Sequence, residues 1–390
     1  MTYQDYCTVP IELLEQIAAE GFDALPELIR ILVNTAMQIE RQRYLNVSPY
    51  ERSPERRGHA NGFKPKTIST RLGEITCAVP QVREGGFYPQ ALEKGQRSER
   101  ALTLALAEMY VQGVSTRKVK AITEQLCGTE ISSSQVSRAA ALLDETLQAW
   151  RNRPLGQIPY LFLDARYEKV REDGQIRDAA VLIASGVDLQ GKRQILGVSV
   201  SLSEAEIHWR TFLQGLVTRG LSGIRLIVSD DHAGLGAARR AVFGGIPWQR
   251  CQFHLQQNAS AYVPRKEMAS TVAEDIRTIF NAPNRATAEA YLAEAVKKYE
   301  QTASRLADWL EKNIPQGLTV FDFPSAHRRR IRTTNGLERV SREIRRRTQV
   351  VSIFPNEASC LRLISANLME TDEAWQTGKR YLSFETQESS

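Results

Sequence analysis

The chain has no apolar run approaching the roughly 18 residues that a membrane-spanning helix needs, which argues against a bilayer protein. Its start, Met1-Thr-Tyr-Gln-Asp-Tyr-Cys7, lacks the basic residues and apolar core of a secretory signal. Cysteine is scarce. The five present, Cys7, Cys77, Cys127, Cys251 and Cys360, are odd in number and scattered, which speaks against a disulfide framework and for a reducing compartment. With 390 residues, 42% hydrophobic and 25% charged, the chain has the composition of a globular protein of two to four domains.

Charge is present but uneven. The net formal charge is only +6, yet residues 41–120 carry 15 Lys/Arg against 7 Asp/Glu, and residues 325–350 carry 9 Arg against 2 Glu. Two basic segments on an acidic remainder point to a polyanion partner, most simply nucleic acid.

Residues 1–45 read as a helical region, with Ile11, Leu13, Leu14 and Ile17, then Leu28, Ile29, Ile31 and Leu32, at helical spacing; packing or dimerisation is the expected role. Residues 46–97 read as a small basic β region, alternating over Thr67–Pro80, too small to bury much alone. Residues 98–150 return to helix: Ala101–Val111, Thr116–Leu126 and Ser133–Trp150, with joints at Gln112–Ser115 and Gly128–Ser133 and an N-cap at Ser132 or Ser133. Short helices joined this way resemble a helix-turn-helix. Ser133, Ser134, Gln135, Ser137 and Arg138 at the head of the last helix suit base edges and phosphates.

From residue 151 strands precede helices. One strand runs Ile158–Asp164, a second Ala179–Gly186, a third Arg193–Ser201, with a hairpin turn at Asp188–Lys192. A helix over Glu204–Arg219 places Trp209, Phe212, Leu213 and Leu216 on one face. A fourth strand ends at Asp230, a helix covers His232–Phe243, and Pro247–Phe253 reads as a fifth strand. Three hairpin-ordered strands, a helix and a fourth strand beside the first is the order of an RNase H-like sheet. Residues 151–258 are thus the first part of a mixed α/β core. Residues 259–325 read as an all-α insertion, and 326–390 as the last part of the core with a final helix near 356–382.

In that order Asp164 and Asp230 meet at adjacent strand ends. Glu338, in Arg332-Thr-Thr-Asn-Gly-Leu-Glu338, lies on a helix. Two strand-end carboxylates and one helix carboxylate are what two hard divalent ions need, Mg²⁺ or Mn²⁺, two per site. Asp231 stands beside Asp230 as an alternative ligand, and Asn335 with Glu338 also fits a helix capping box. Arg342 and Arg345 share the Glu338 face, where DNA phosphates or Glu338 itself are their alternative partners. Cys251-Gln-Phe-His254 has the spacing of half a zinc site without a second pair, so packing or hydrogen bonding near the sheet edge is expected.

These pieces together resemble one family. They are Arg57-Gly-His-Ala-Asn-Gly-Phe63, Ala78-Val-Pro-Gln-Val-Arg83, Tyr110–Val119, Ser132–Ser137, Leu163-Asp-Ala-Arg-Tyr-Glu-Lys-Val-Arg171, Ser229-Asp-Asp-His-Ala-Gly-Leu235, Trp248–His254, Thr333-Thr-Asn-Gly-Leu-Glu338 and Phe354–Ser359. In this order they resemble Mutator-type bacterial insertion-sequence transposases over about residues 40–370. The resemblance implies an RNase H-like core interrupted by a helical insertion, and Asp164, Asp230 and Glu338 as the catalytic, metal-binding triad. It makes Cys251 and His254 a family signature of unclear role, and it implies a circular DNA intermediate. It places the protein in the bacterial cytoplasm, at the nucleoid.

The expected activity is metal-dependent nicking at an element end and strand transfer by the exposed 3′-hydroxyl, by a homodimer on double-stranded terminal inverted repeats and target DNA. Expected DNA contacts are Arg57, Lys64, Lys66, Arg71, Arg117, Lys118, Ser133, Ser134, Gln135 and Arg138, with Arg328, Arg329, Arg330, Arg332, Asn335, Arg342 and Arg345. Trp209 and Trp248 are candidates to stack on unpaired bases, with core the preferred reading for Trp209. A catalytically silent DNA-binding regulator and a structure-selective nuclease on the same fold are the alternatives.

Overall fold

The structure, a computed structural model, describes residues 11–47, 53–83, 86–92, 94–95, 97–112, 114, 116–127 and 131–384. Cys7, Gly113, Ser115, residues 128–130 and the side chains of Cys127 and Ser133 lie outside that description. Two compact units divide the chain near residue 142, with 111–113 belonging to the second.

In the first unit, α1 (Ile11–Glu20) and α2 (Leu25–Leu45) form where the apolar spacing is helical. Asn46 ends α2 in the left-handed conformation (φ 53°), its N–H on the Arg43 carbonyl. β1 (Ala60–Thr70) and β2 (Gly73–Val82) make an antiparallel hairpin. The hairpin gains a core only by leaning on α2: Met37 packs with Ile75, Cys77, Val79 and Leu92. α3 (Arg100–Val111), α4 (Thr116–Cys127) and α5 (Ser133–Ala141) follow. Ser132 is the N-cap of α5, in a reciprocal box with Gln135.

The helix expected over Ser133–Trp150 is two helices. α5 stops at Ala141, and α6 (Asp144–Arg151) begins afresh. Contacts made at long sequence range hold α6: Asp144 accepts two 2.7 Å hydrogen bonds from Arg362, and Leu147 packs with Ala366.

The second unit is a mixed α/β layer structure. β3 (Tyr160–Glu172), β4 (Gln175–Val187) and β5 (Arg193–Ser201) form an antiparallel meander. β6 (Leu226–Ser229) and β7 (Trp248–Arg250) lie on the other side of β3 and run parallel to it, giving the order β5-β4-β3-β6-β7. Strand four therefore sits beside strand one, as the sequence order requires. Ala179–Val187 of β4 is buried at every position, as in a sheet covered on both faces. α7 (Glu206–Thr218) and α8 (Ala233–Val242) contribute Trp209, Leu213, Leu216 and Leu235 to the core with Leu161, Leu163, Leu182 and Ile227. Each such burial is worth roughly 1.5–3 kcal/mol. Gly234 lets α8 approach closely: a β-carbon there would lie 2.4 Å from the Glu204 carbonyl oxygen.

Two strand ends differ from expectation. β3 does not stop at Asp164 but continues to Glu172, because its hairpin with β4 closes only at Asp173 (φ 48°) and Gly174 (φ 79°). β7 stops at Arg250, and Cys251 caps α9 (Gln252–Ala259), so Cys251-Gln-Phe-His254 opens a helix rather than ending a strand. The reason is local: the Cys251 amide closes onto the Ser229 carbonyl, and the next amide, Gln252, turns to Arg332.

α10 (Ala269–Phe280), α11 (Arg285–Tyr299), α12 (Ser304–Asn313) and α13 (Ser325–Ile331) follow without a strand among the described residues. The chain returns to the sheet through α14 (Asn335–Thr348) and α15 (Glu357–Thr377). No helix of the described residues is long and apolar enough to cross a membrane.

Candidate active site

Strand register brings the two aspartates together. β3 and β6 pair in parallel up to Phe162 opposite Val228. Asp164 and Asp230 each lie two residues further on, so they stand side by side where β6 ends. Asp164 is 8% exposed. Burial pushes its carboxyl up to about 7; His254 opposes the rise, and Asp230 and Glu338 add to it. Asp164 therefore feels the charge of the other three side chains.

Glu338 arrives on α14, and several contacts fix that helix. The Thr334 N–H and Oγ1–H both donate to Cys251 Sγ, each at 3.4 Å, and the Glu338 N–H bonds the Thr334 carbonyl at 3.0 Å. Arg166 of β3 donates to the Ser341 carbonyl, and Thr348 Oγ1 to Glu168 at 3.1 Å. The N-cap of α14 is Thr334, without a side-chain cap bond. Glu338 is therefore not spent on a capping box. Its Oε1 is buried with no hydrogen-bond partner, as is His254 Nδ1. A buried carboxylate oxygen without a donor is the atom that a cation would satisfy.

Ligand atoms of Cys251, His254 and Glu338 lie within 4.8 Å of one another. Thiol and imidazole suit zinc-like ions rather than Mg²⁺, and a structural zinc wants four ligands. Carboxylate oxygens suit hard divalent ions by their chemistry, but Asp164, Asp230 and Glu338 do not form a group that close among the described residues. His254 has its pKa raised to about 9, chiefly by its hydrogen-bonding contact with Cys251 against the cost of burial, with Asp164 and Asp230 adding. For Cys251 burial is the largest influence and raises the thiol, but His254 and Thr334 together outweigh it and the net shift is downward. The imidazole is thus a positive charge among the carboxylates. Glu338 is raised by burial, against His254 and Arg342.

Asp231 points elsewhere, forming a 3.1 Å ion pair with Arg250. Arg342 lies near Glu338 but forms no ion pair with it among the described residues, and both Arg342 and Arg345 are exposed. Arg328 donates to the carbonyls of Phe321, Phe323 and Pro283, and Arg332 to Asn281. Arg329, Arg330, Arg332 and Asn335 line one cleft. In the first unit Arg57, Lys64, Arg117, Lys118, Ser134 and Arg138 are exposed. Lys66 bonds Tyr88 Oη at 2.8 Å, Arg71 pairs with Glu99 at 3.1 Å, and the Gln135 side chain accepts from the Ser132 amide at 2.7 Å. Trp209 is core, 0% exposed. Trp248 is engaged, its indole N–H on Ser229 Oγ at 2.9 Å and Arg239 over its ring at 4.8 Å.

One neighbouring group was not legible in the sequence. Glu204, 9% exposed, accepts from Tyr167 Oη (3.0 Å) and Trp209 Nε1 (3.2 Å) and faces His232 Nδ1 at 3.3 Å. Its carboxyl is raised by burial, and Asp230 contributes to that rise. In sequence Glu204 looks like an ordinary acid before a helix; only Tyr167 and His232 fall inside the family-like motifs.

The model of the family described as "Transposase, Mutator family" matches residues 4–378. The chain belongs to the Mutator family of transposases. It is 60% identical over 380 residues to the transposase for insertion sequence element IS406 of Burkholderia multivorans, covering 97% of this chain and 98% of that one. It is 46% identical to the ISRM5 transposase of Rhizobium meliloti, covering 95% and 94%. It is 35% identical to the IS256 transposase of transposon Tn4001 from Staphylococcus aureus, covering 93% and 94%. A chain of a simian T-cell lymphotropic virus intasome bound to a PP2A regulatory subunit is 12% identical over 53% of this chain and 66% of that one, with a TM-score of 0.17, too slight a likeness to define a fold. Membership in the Mutator family implies DNA cutting and transfer, and suggests dependence on a divalent metal.

Proposed function

We propose that this Mutator-family chain is the transposase of an insertion sequence. In this reading it binds the terminal inverted repeats, nicks at an element end to expose a 3′-hydroxyl, and uses that hydroxyl to attack a second phosphodiester, passing through a circular intermediate. Asp164, Asp230 and Glu338 form the catalytic triad. The observation that carries the reading is the register match of Asp164 with Asp230, with a buried, unpartnered Glu338 oxygen nearby. The order β5-β4-β3-β6-β7 supports an RNase H-like core built from residues 151–258 and 326–390, interrupted by the helical residues 259–325.

Two Mg²⁺ or Mn²⁺ ions, when bound, would supply activation of the attacking oxygen and neutralisation of charge on the leaving oxygen. Asp164, Asp230 and Glu338 would hold them through their carboxylate oxygens. Buried strand and helix backbone hold the three carboxylates rigidly, so little reorganisation is needed when substrate arrives. His254 offsets carboxylate repulsion, and Arg342 and Arg345 hold the phosphate backbone beside the cluster. Residues 46–97 and 98–150 read the repeats, and residues 1–45 pair two chains into a homodimer.

The test is incubation of a labelled duplex bearing the element's own end with the full chain, in Mg²⁺ and in EDTA. End-specific nicks and joined products, absent in EDTA, are the expected result. Tight binding without any metal-dependent product would instead favour the silent regulator. Cleavage of junctions regardless of the repeat, without joining, would favour the nuclease.

A further inference from the structure

A second feature lies around the start of α14. Arg193 of β5, Arg329 and Arg330 of α13, Arg332, Arg339 of α14 and Tyr381 line a cleft of about 320 Å³. Five guanidinium groups thus share one small space, and none has a carboxylate partner among the described residues. Elsewhere in the unit arginines are paired: Arg153 with Asp372, Arg347 with Glu343 and Glu370, Arg362 with Asp144.

The cleft is built rather than incidental. Arg193 stacks over Trp375 at 4.2 Å and over Tyr381 at 4.7 Å, and Arg330 over Tyr381 at 5.0 Å. Tyr381 is tied in turn by its hydroxyl to the Arg330 carbonyl at 3.1 Å. These stacks fix guanidinium planes in advance. Arg193 reaches across from the sheet to the first turn of α14, its Nη1 3.7 Å from where a β-carbon on Gly336 would stand. Burial lowers the Arg193 pKa, and Arg339 and Arg330 lower it further, so the group is held against charge repulsion. The first turn of α14 adds the positive end of a helix dipole.

We propose that this cleft docks successive phosphodiesters of one DNA strand running past the carboxylate cluster. Fixed guanidinium forks match phosphate oxygens two at a time, and an uncompensated group of five calls for more than one negative charge. Asn335, Gly336 and Arg339, which line the cleft, flank Glu338 at the start of α14. A strand crossing the start of α14 can therefore touch both the cleft and the carboxylates. The proposal rests on the transposase reading and names the strand-holding surface beside its active site.

The experiment measures the affinity of the full chain for a fluorescein-labelled duplex across a salt series. It compares the wild type with Arg193→Gln/Arg339→Gln, and with Arg329→Gln/Arg339→Gln, whose residues are exposed, in case loss of the Arg193 stacks impairs folding. Each lost phosphate contact should reduce the salt slope by about 0.9, so either double variant should fall by about 2 and bind at least tenfold more weakly at moderate salt. Inorganic pyrophosphate serves as the small-anion probe. A thermal shift with pyrophosphate that the variants lose, together with unchanged DNA binding, would make this a small-anion site and overturn the proposal. Unchanged slopes with no pyrophosphate effect would overturn it too. A wild type that binds no DNA at all would count against the transposase reading itself and take this proposal with it.

Discussion

Cys251 Sγ accepts both the backbone N–H and the side-chain hydroxyl of Thr334, at 3.4 Å each. The Cys251 amide bonds the Ser229 carbonyl, one residue before Asp230, and the Thr334 carbonyl accepts from the Glu338 amide. One buried cysteine therefore links the strand of one carboxylate to the helix of another. This gives Cys251 a physical role as a clip.

The clip predicts a graded series. Cys251→Ala should reduce metal-dependent cleavage by roughly 10–100-fold, the scale for groups that orient metal-binding side chains, and raise the Mg²⁺ concentration needed for half-maximal rate. Cys251→Ser, whose oxygen can still accept from Thr334, should recover part of both. Equal loss in both variants, with an unchanged Mg²⁺ requirement, would argue that the cysteine only fills space. Metal titrations of the cleavage rate make the distinction.

Asp164 predicts a pH effect on the metal-free protein. Its folded-state pKa of about 7 lies above the ordinary 3.8, so the unfolded chain releases this proton first as pH rises. Stability is therefore full below about pH 4, falls between pH 4 and 7, and stays low above 7; the loss is at most about 4 kcal/mol. In EDTA, the Tm of the wild type should drop across that window more than the Tm of Asp164→Asn. Mg²⁺ added at pH 7.5 should restore the wild type, because binding favours the ionised carboxylates. Parallel pH profiles for the two proteins would remove the buried carboxyl from the account.

Asp372 predicts a structural loss without a catalytic cause. It is 3% exposed on α15 and accepts from the Ile195 amide (2.8 Å), Arg153 Nη2 (2.8 Å) and Trp150 Nε1 (3.2 Å), joining α15, α6 and β5. Asp372→Ala leaves the half-buried Arg153 guanidinium without its carboxylate and the Ile195 amide without its acceptor, and should cost about 3 kcal/mol, a Tm drop on the order of 10 °C. Asp372→Asn should cost less. A change under 1 °C for the alanine variant would contradict this role, and calorimetry reads it directly.

Asp372 also shows where sequence reading stops. Short apolar runs marked β3, β4 and β5, and helical spacing marked α7 with Trp209, Leu213 and Leu216 inward. Strand order then followed, and with it the neighbourhood of Asp164 and Asp230. What was illegible depends on partners far away in the chain. Asp372 reads as a surface acid until Arg153 and Ile195 meet it. The break between α5 and α6 is set by Arg362 and Ala366, and Glu204 by Tyr167 and His232. The exit of β7 into α9 depends on carbonyls of Ser229 and Arg332 that no local pattern announces.

The most direct test of the central claim compares four variants on one end-bearing duplex: Asp164→Asn, Asp230→Asn, Glu338→Gln and Asp231→Asn. Binding and Mg²⁺-dependent cleavage are measured on the same preparations. The first three should bind DNA as the wild type does but cut about 10³-fold more slowly or worse, while Asp231→Asn, which loses only its pair with Arg250, should still cut. Near-normal cleavage by any of the first three, or abolition only in Asp231→Asn, would contradict the assignment of the three carboxylates as one site.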